Sequence, residues 1–437
     1  MNIYLAFIGC LMFFFIMFFL MKGKVHPIVV LVLCPVVAAF LAGYGYKEVV
    51  SVCLKGLNTV WKNGVLFIFS VMFFSVMSDA GMFDGLVNWL IKKAGKNVIM
   101  VTVVTTIVAT IAHMDGSTAM TALITIPAML PIYDRLHMDR KTLLLLIGVS
   151  MTMMNLTPWG GPTLRIATVL NMDVNELWKH IIPMQVIGLL ITFGVGVYFG
   201  YVEKRKGAGK VLPNEKFGDS INNASQEELA LKRPHLILFD WIFTILVVCT
   251  LIFNIMPAYL SFLVAFCVAI AVNYPDLKLE QKIFAKHANS ALMVSATMIS
   301  AGPLVGVITH TEILNALVQL IVSCIPNVLG PYLHLIFGVL SMPMGVVLNG
   351  DAYFYGFFPL AAKIGEQFGI SPMNMGISLL SGKNAVMIVA PVTPVTFLAT
   401  GLADVPLKDH IKYSFKYLWV ISVIFMAGGI LVGAIQI

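Results

Sequence analysis

His113-Met-Asp115-Gly-Ser-Thr118 stands in the middle of an otherwise uncharged apolar block, Val98–Tyr133. A long apolar block with a polar midpoint reads as a re-entrant hairpin, whose two helical arms enter and leave a membrane on the same side. Irregular backbone survives at that depth only where it lines a cavity or is buried in protein, so the tip marks a place to look for function. A second block, Pro331–Ala362, is interrupted in the same way by Asn349-Gly-Asp351. Two other apolar stretches, Thr142–Leu170 and Met373–Gly401, are broken by Thr157-Pro-Trp-Gly-Gly-Pro-Thr163 and by Ala390-Pro-Val-Thr-Pro394. Proline removes a donor and breaks the helix, and the freed backbone groups become ligands for a substrate or an ion.

The surrounding composition requires lipid as solvent. Of the 437 residues 59% are hydrophobic and 11% charged, and mean hydropathy is +0.92; a soluble domain carries about 25% charged residues. The six cysteines are scattered, with no C-x-x-C pair, and read as small apolar residues. Residues 1–21 lack a basic start and a small-residue cleavage site, and read as the first span. Ten crossings are expected, Gly64–Ser78 and Ser290–Thr309 among them, in addition to the two hairpins. With both termini outside, 21 of the 28 Lys+Arg fall on the cytoplasmic side. The net charge of +7 then reflects the positive-inside pattern and not a nucleic-acid partner. The chain is accordingly placed in the bacterial cytoplasmic (inner) membrane as a multi-pass protein.

The two halves resemble each other at a nearly constant offset. Lys55-Gly-Leu-Asn-Thr matches Lys286-His-Ala-Asn-Ser, Asp115-Gly-Ser stands opposite Asn349-Gly-Asp, and the two proline breaks correspond. The domains expected are a first repeat (1–202; hairpin 98–133, broken helix 142–170), a cytoplasmic linker (203–234) and a second repeat (235–437; hairpin 331–362, broken helix 373–401). Each half has five crossings, an odd number, so the copies are inverted. The fold class is an all-α integral membrane protein, an inverted repeat of the kind that binds its cargo at the midplane between broken elements.

Asp115 and Asp351 at the tips are costly at membrane depth without a cation or proton, and are assigned to proton or cation coupling and as candidate metal ligands. His113 joins them as a proton-coupling candidate, because its ordinary titration lies near neutral pH. Ser117 and Thr118 cap the following arm, whose free N–H groups favour an anion. Thr157, Gly160, Gly161, Asn349 and Thr393 line the tips and breaks. Arg165 and Lys383 are intramembrane cations, the first a fork that matches a carboxylate and the second a point charge. Their alternative is pairing with Asp115 or Asp351. Asp79, Asp84, His310 and Glu312 sit at span ends, where solvated or capping roles are expected. Together these residues point to a secondary transporter of a small carboxylate with a cation. No H-E-x-x-H helix or diphosphate-type acidic cluster suggests an enzyme.

Over essentially its whole length the chain also resembles the citrate–metal:proton symporters of the ion-transporter superfamily. The resemblance is carried by Asp79-Ala-Gly-Met-Phe-Asp84, by Asp115-Gly-Ser-Thr118 with Pro127 and Leu130-Pro-Ile-Tyr-Asp-Arg-Leu136, by Pro158-Trp-Gly-Gly-Pro-Thr-Leu-Arg165, and by Asp351-Ala-Tyr-Phe-Tyr-Gly356. It implies symport of citrate or a related di/tricarboxylate with protons. Mg²⁺ or another divalent cation is implied as a co-substrate rather than a resident cofactor. Na⁺ is the alternative coupling ion, a homodimer is the expected assembly, and elevator-type movement is implied. The family pattern D-G-D-G-S-T is replaced here by His113-Met-Asp-Gly-Ser-Thr, which removes one hard oxygen ligand. Lys383 is an added charge that suits a carboxylate free of metal. A cation/proton antiporter of the same superfamily is the competing reading; it needs the two aspartates but has little use for Arg165 and Lys383.

Overall fold

Apolar chain in lipid must satisfy its backbone groups internally, and every regular element among the described residues is helical. The computed structural model describes residues 3–22, 24–209, 226–253, 255–323, 325–391 and 393–437. Much of the expected linker, residues 210–225, lies outside the described residues. The first half runs α1 (Ile3–Lys22), α2 (Pro27–Leu41), α3 (Tyr46–Ala80), α4 (Asp84–Ala94), α5 (Val98–Ala112), α6 (Thr118–Arg135), α7 (Arg140–Met154), α8 (Gly161–Leu170) and α9 (Val174–Arg205). After the short α10 (Gln226–Leu231) come α11 (Ile237–Ile252), α12 (Ala258–Asn273), α13 (Leu277–Ser300), α14 (Gly302–His310) and α15 (Ile313–Val322). The chain finishes with α16 (Leu333–Val347), α17 (Phe358–Glu366), α18 (Pro372–Lys383), α19 (Pro394–Leu402) and α20 (Leu407–Leu431). Among the described residues six helical stretches are long and apolar enough to cross a membrane, and five shorter apolar helices accompany them. The protein is a multi-pass membrane protein.

Local sequence sets the boundaries. Asn97, Asp139, Asp173, Asp276 and Ser371 each accept a backbone N–H of the helix they precede, as N-caps do. Proline stands in the first turn of α2, α8, α14, α17, α18 and α19, where its missing donor costs nothing. Two expected spans take a different form. Gly64–Ser78 is only the interior of α3, whose 35 residues extend about 52 Å at 1.5 Å per residue. Lys47, Glu48, Lys55 and Lys62 dilute the hydropathy of its first half without breaking the helix. The expected Ser290–Thr309 span divides into α13 and α14 at Ala301, just before Pro303.

Helices α3, α12, α13 and α14 pack together, while α5–α9 pack with one another and with α18–α20; α8 touches both groups. Glycines permit the closest approaches: a Cβ on Gly56 would lie 1.9 Å from the Gly302 carbonyl oxygen. Asp79 is not the solvated span end that the sequence suggested. Its carboxylate is buried between Lys286 Nζ (2.8 and 2.9 Å) and His287 Nε2 (2.8 Å), tying α3 to α13.

Candidate binding site at the hairpin tips and helix breaks

The first tip is a tight turn pinned to the first helix break. Ser117 caps α6 by accepting from Met120 N at 3.2 Å, and Asp115 Oδ1 accepts from Ser117 N at 2.8 Å. Gly116 supplies the left-handed residue of the turn, with φ 72°. Asp115 is 6% exposed, and among the described residues no cationic side chain lies within ion-pair distance of it. His113 is fully buried: its Nδ1 meets Thr121 Oγ1 at 2.5 Å and its Nε2 meets Asn155 Oδ1 at 3.2 Å. The Trp159 indole donates to the Met114 carbonyl at 2.7 Å. Tip and break are therefore one polar unit.

The break itself joins α7 to α8. Thr157 Oγ1 donates to the Met154 carbonyl at 3.0 Å, and Thr163 Oγ1 to the Asn155 carbonyl at 3.0 Å, so hydroxyls satisfy carbonyls that the interrupted helix leaves over. Gly160 is required sterically, because a Cβ there would lie 2.4 Å from the Asn155 carbonyl oxygen. Gly161 opens α8, and a Cβ on it would come to 3.0 Å from Arg165 Nη1. The guanidinium thus rests on bare backbone.

Arg165 spans from this break to the second tip. Its Nε (3.1 Å) and Nη2 (2.9 Å) both donate to Asp351 Oδ1, an ion pair whose side chains are 13% and 17% exposed. Nη1 has no acceptor in the described structure, so part of the fork is unused. Asn349 is committed elsewhere in that tip: Nδ2 donates to the Leu20 carbonyl and Oδ1 accepts from Ala352 N, each at 2.8 Å. From Ala352 to Phe357 the chain winds a π-turn before α17 begins.

Lys383 is 1% exposed. Its Nζ donates to the Gly345 (3.2 Å) and Leu348 (2.8 Å) carbonyls, where a cation complements the C-terminal end of α16. Thr393 Oγ1 lies 2.8 Å from both the Met387 and Ala390 carbonyl oxygens and 2.7 Å from Thr396 Oγ1. Thr118 is the half-buried first residue of α6. The structure therefore links first tip, first break and second tip through His113, Asn155, Trp159, Arg165 and Asp351. It leaves Lys383 and Asn349 holding backbone.

Two asparagines were not singled out from the sequence. Asn155 caps α7 and Asn384 caps α18, so each stands where the first part of a broken span ends. Asn384 is fully buried, with neither side-chain polar atom partnered, and Asn155 Nδ2 is likewise unpartnered. The Ser378 and Tyr355 hydroxyls share this state. A buried polar atom without a partner costs about 1–3 kcal/mol, so such atoms at the breaks call for a polar occupant. Their position, the last residue before a proline-rich break, was the available signal. Among the described residues no group of three or more His, Cys, Asp and Glu side chains gathers to hold a metal ion.

A family model described as "Citrate transporter" matches residues 6–382. A citrate transporter of Bacillus subtilis (strain 168) is 32% identical over 436 residues, covering 99% of this chain and 100% of that one. The Mg(2+)/citrate complex secondary transporter of the same organism is 30% identical over 433 residues, 99% of each chain. Among solved structures, the Alcanivorax borkumensis YdaH transporter, described as having an unusual topology, superposes with a TM-score of 0.60 at 11% identity over 89% of both chains. That likeness concerns the fold alone.

Proposed function

This chain belongs to the citrate transporter family, and from that premise we propose that it is a secondary active symporter. Its cargo is citrate or a related di/tricarboxylate, carried with protons across a bacterial cytoplasmic membrane. The observation that carries the reading is the pairing of unlike needs in one network: Arg165 has an unused Nη1, and Asp115 is a buried carboxylate without a cation. A carboxylate of the cargo takes the open side of the Arg165 fork, and the Asn155 and Asn384 amides supply further polar contacts. A proton on Asp115, with His113 as the neighbouring carrier, removes the charge that would repel the cargo. Anion and proton then favour each other's binding, the reciprocal coupling that symport requires.

The metal question belongs to the cargo. One relative is named for a Mg(2+)/citrate complex; for this chain we propose that a divalent ion enters, where it does, as part of the citrate complex, with Asp115 as the oxygen ligand nearest the first tip. The inverted-repeat reading is supported by the order of elements: α1–α3 recur as α11–α14, α4 as α15, α5–α6 as α16–α17, α7–α8 as α18–α19 and α9 as α20. In this reading the α5–α6 and α16–α17 pairs are the re-entrant hairpins and lie on opposite sides of the membrane.

Uptake of labelled citrate into proteoliposomes, with and without an inward proton gradient and with Mg²⁺ or EDTA, tests the proposal. Gradient-driven uptake is expected, lost in Asp115→Asn. Uptake indifferent to the gradient removes proton coupling. Cation/proton exchange with no citrate movement overturns the symporter reading in favour of the antiporter.

A further inference from the structure

The last turns of α8 lead from the Arg165 site to a polar vestibule that the site itself does not include. Arg165, Thr168 and Asn171 recur at three-residue spacing, which puts them on neighbouring parts of one helix face, and Asn171 lies about 9 Å beyond Arg165 along the axis. Asn171 ends α8 in the left-handed conformation, with φ 51°. It borders two cavities at once. One, of about 260 Å³, is lined by Asn58, Thr59, Lys62 and Asn63 of α3 together with Asn171 and Asp173. The other, of about 320 Å³, reaches Thr309, Asn315, Lys363 and Glu366.

The two cavities differ in free charge. Lys363 Nζ is held by Glu366 at 2.7 Å, so the larger cavity presents a neutralised pair. Lys62 has no carboxylate within ion-pair distance among the described residues. The one carboxylate beside it, Asp173, accepts from Asn175 N at 2.8 Å as the cap of α9. Below Lys62 on α3, Asn63 Nδ2 donates to Thr168 Oγ1 at 2.8 Å in a buried contact, and this bond lies between the vestibule and Arg165.

We propose that the smaller cavity is an encounter site for the carboxylate cargo, with Lys62 as its recruiting cation and the Asn63–Thr168 hydrogen bond as the bar between it and Arg165. The proposal rests on the carboxylate-transport reading above. A cation at the mouth of a low-dielectric cleft raises the local concentration of an anion and speeds its arrival, an effect that salt screens. The Asn58 and Asn171 amides beside Lys62 donate hydrogen bonds to a carboxylate without fixing one substrate, as a transient stop requires.

The test is initial-rate citrate uptake in proteoliposomes of defined orientation, comparing wild type, Lys62→Gln and Lys62→Arg. At low ionic strength Lys62→Gln should raise KM by about threefold or more with kcat unchanged. The difference should shrink as salt is added, Lys62→Arg should behave as wild type, and the effect should appear only when citrate is supplied from the Lys62 face. An unchanged KM at low salt, or an equal shift from both faces, overturns the encounter site while leaving carboxylate transport intact. A wild type that moves no carboxylate in either direction overturns the transport reading, and this proposal with it.

Discussion

In the proposed site Arg165 holds Asp351 with one side of its fork and leaves Nη1 over the bare backbone of Gly161. Lysine keeps the charge but loses the planar fork, so Arg165→Lys should lower citrate kcat/KM at least about tenfold, measured as initial uptake rates. Wild-type rates in that variant would show that charge alone suffices. Arg165 and Asp115 were legible in the sequence because a charge inside an apolar block is expensive and has to have a reason. Lys383 was legible as a buried cation, but its partners are two backbone carbonyls, and no side-chain pattern announces those. Asn155 and Asn384 escaped notice because an asparagine at a helix end is ordinarily a cap. What distinguishes them is the lack of partners for their amide atoms, a property of three-dimensional surroundings.

At the scale of elements, the broken α7–α8 segment depends on a close backbone crossing. A methyl group on Gly160 would meet the Asn155 carbonyl oxygen at 2.4 Å, and main chain cannot swing aside as a flexible side chain does. Gly160→Ala should therefore destabilise the protein by about 1–3 kcal/mol and reduce transport beyond what the loss of folded protein explains. Thermal unfolding in detergent beside uptake per folded molecule separates the two effects; unaltered unfolding would refute the steric account. The tips and proline breaks could be read from sequence, since glycine, proline and capping hydroxyls have local causes. The division of α13 from α14 is likewise marked by Gly302-Pro303, whereas the π-turn at Ala352–Phe357 has no such local signal. Hydropathy is blind to hydrogen-bond register.

In the whole molecule, the proposed recurrence of α1–α9 in the second half rests on the element order and on short matches such as Lys55-Gly-Leu-Asn-Thr and Lys286-His-Ala-Asn-Ser. The cluster of Asp79, Lys286 and His287 left no such trace in the sequence, because it joins residues 207 and 208 positions apart in the chain. The contact of Gly56 with Gly302 and Gly306 has a further consequence. Two backbones in direct touch have no side-chain ridges to slide over and no alternative packing to adopt, so α3 with α13 and α14 forms one stiff post. Such a post serves the experimenter as an internal ruler. Spin labels at the outward-facing Leu54 and Leu292 should report one unchanging separation with and without citrate, whereas a pair from Leu54 to Leu190 on α9 is free to change. If the first distance shifts instead, the post is itself a moving part. If it holds, every displacement in the transport cycle can be measured from it, as from a benchmark fixed in the protein rather than in the surrounding lipid.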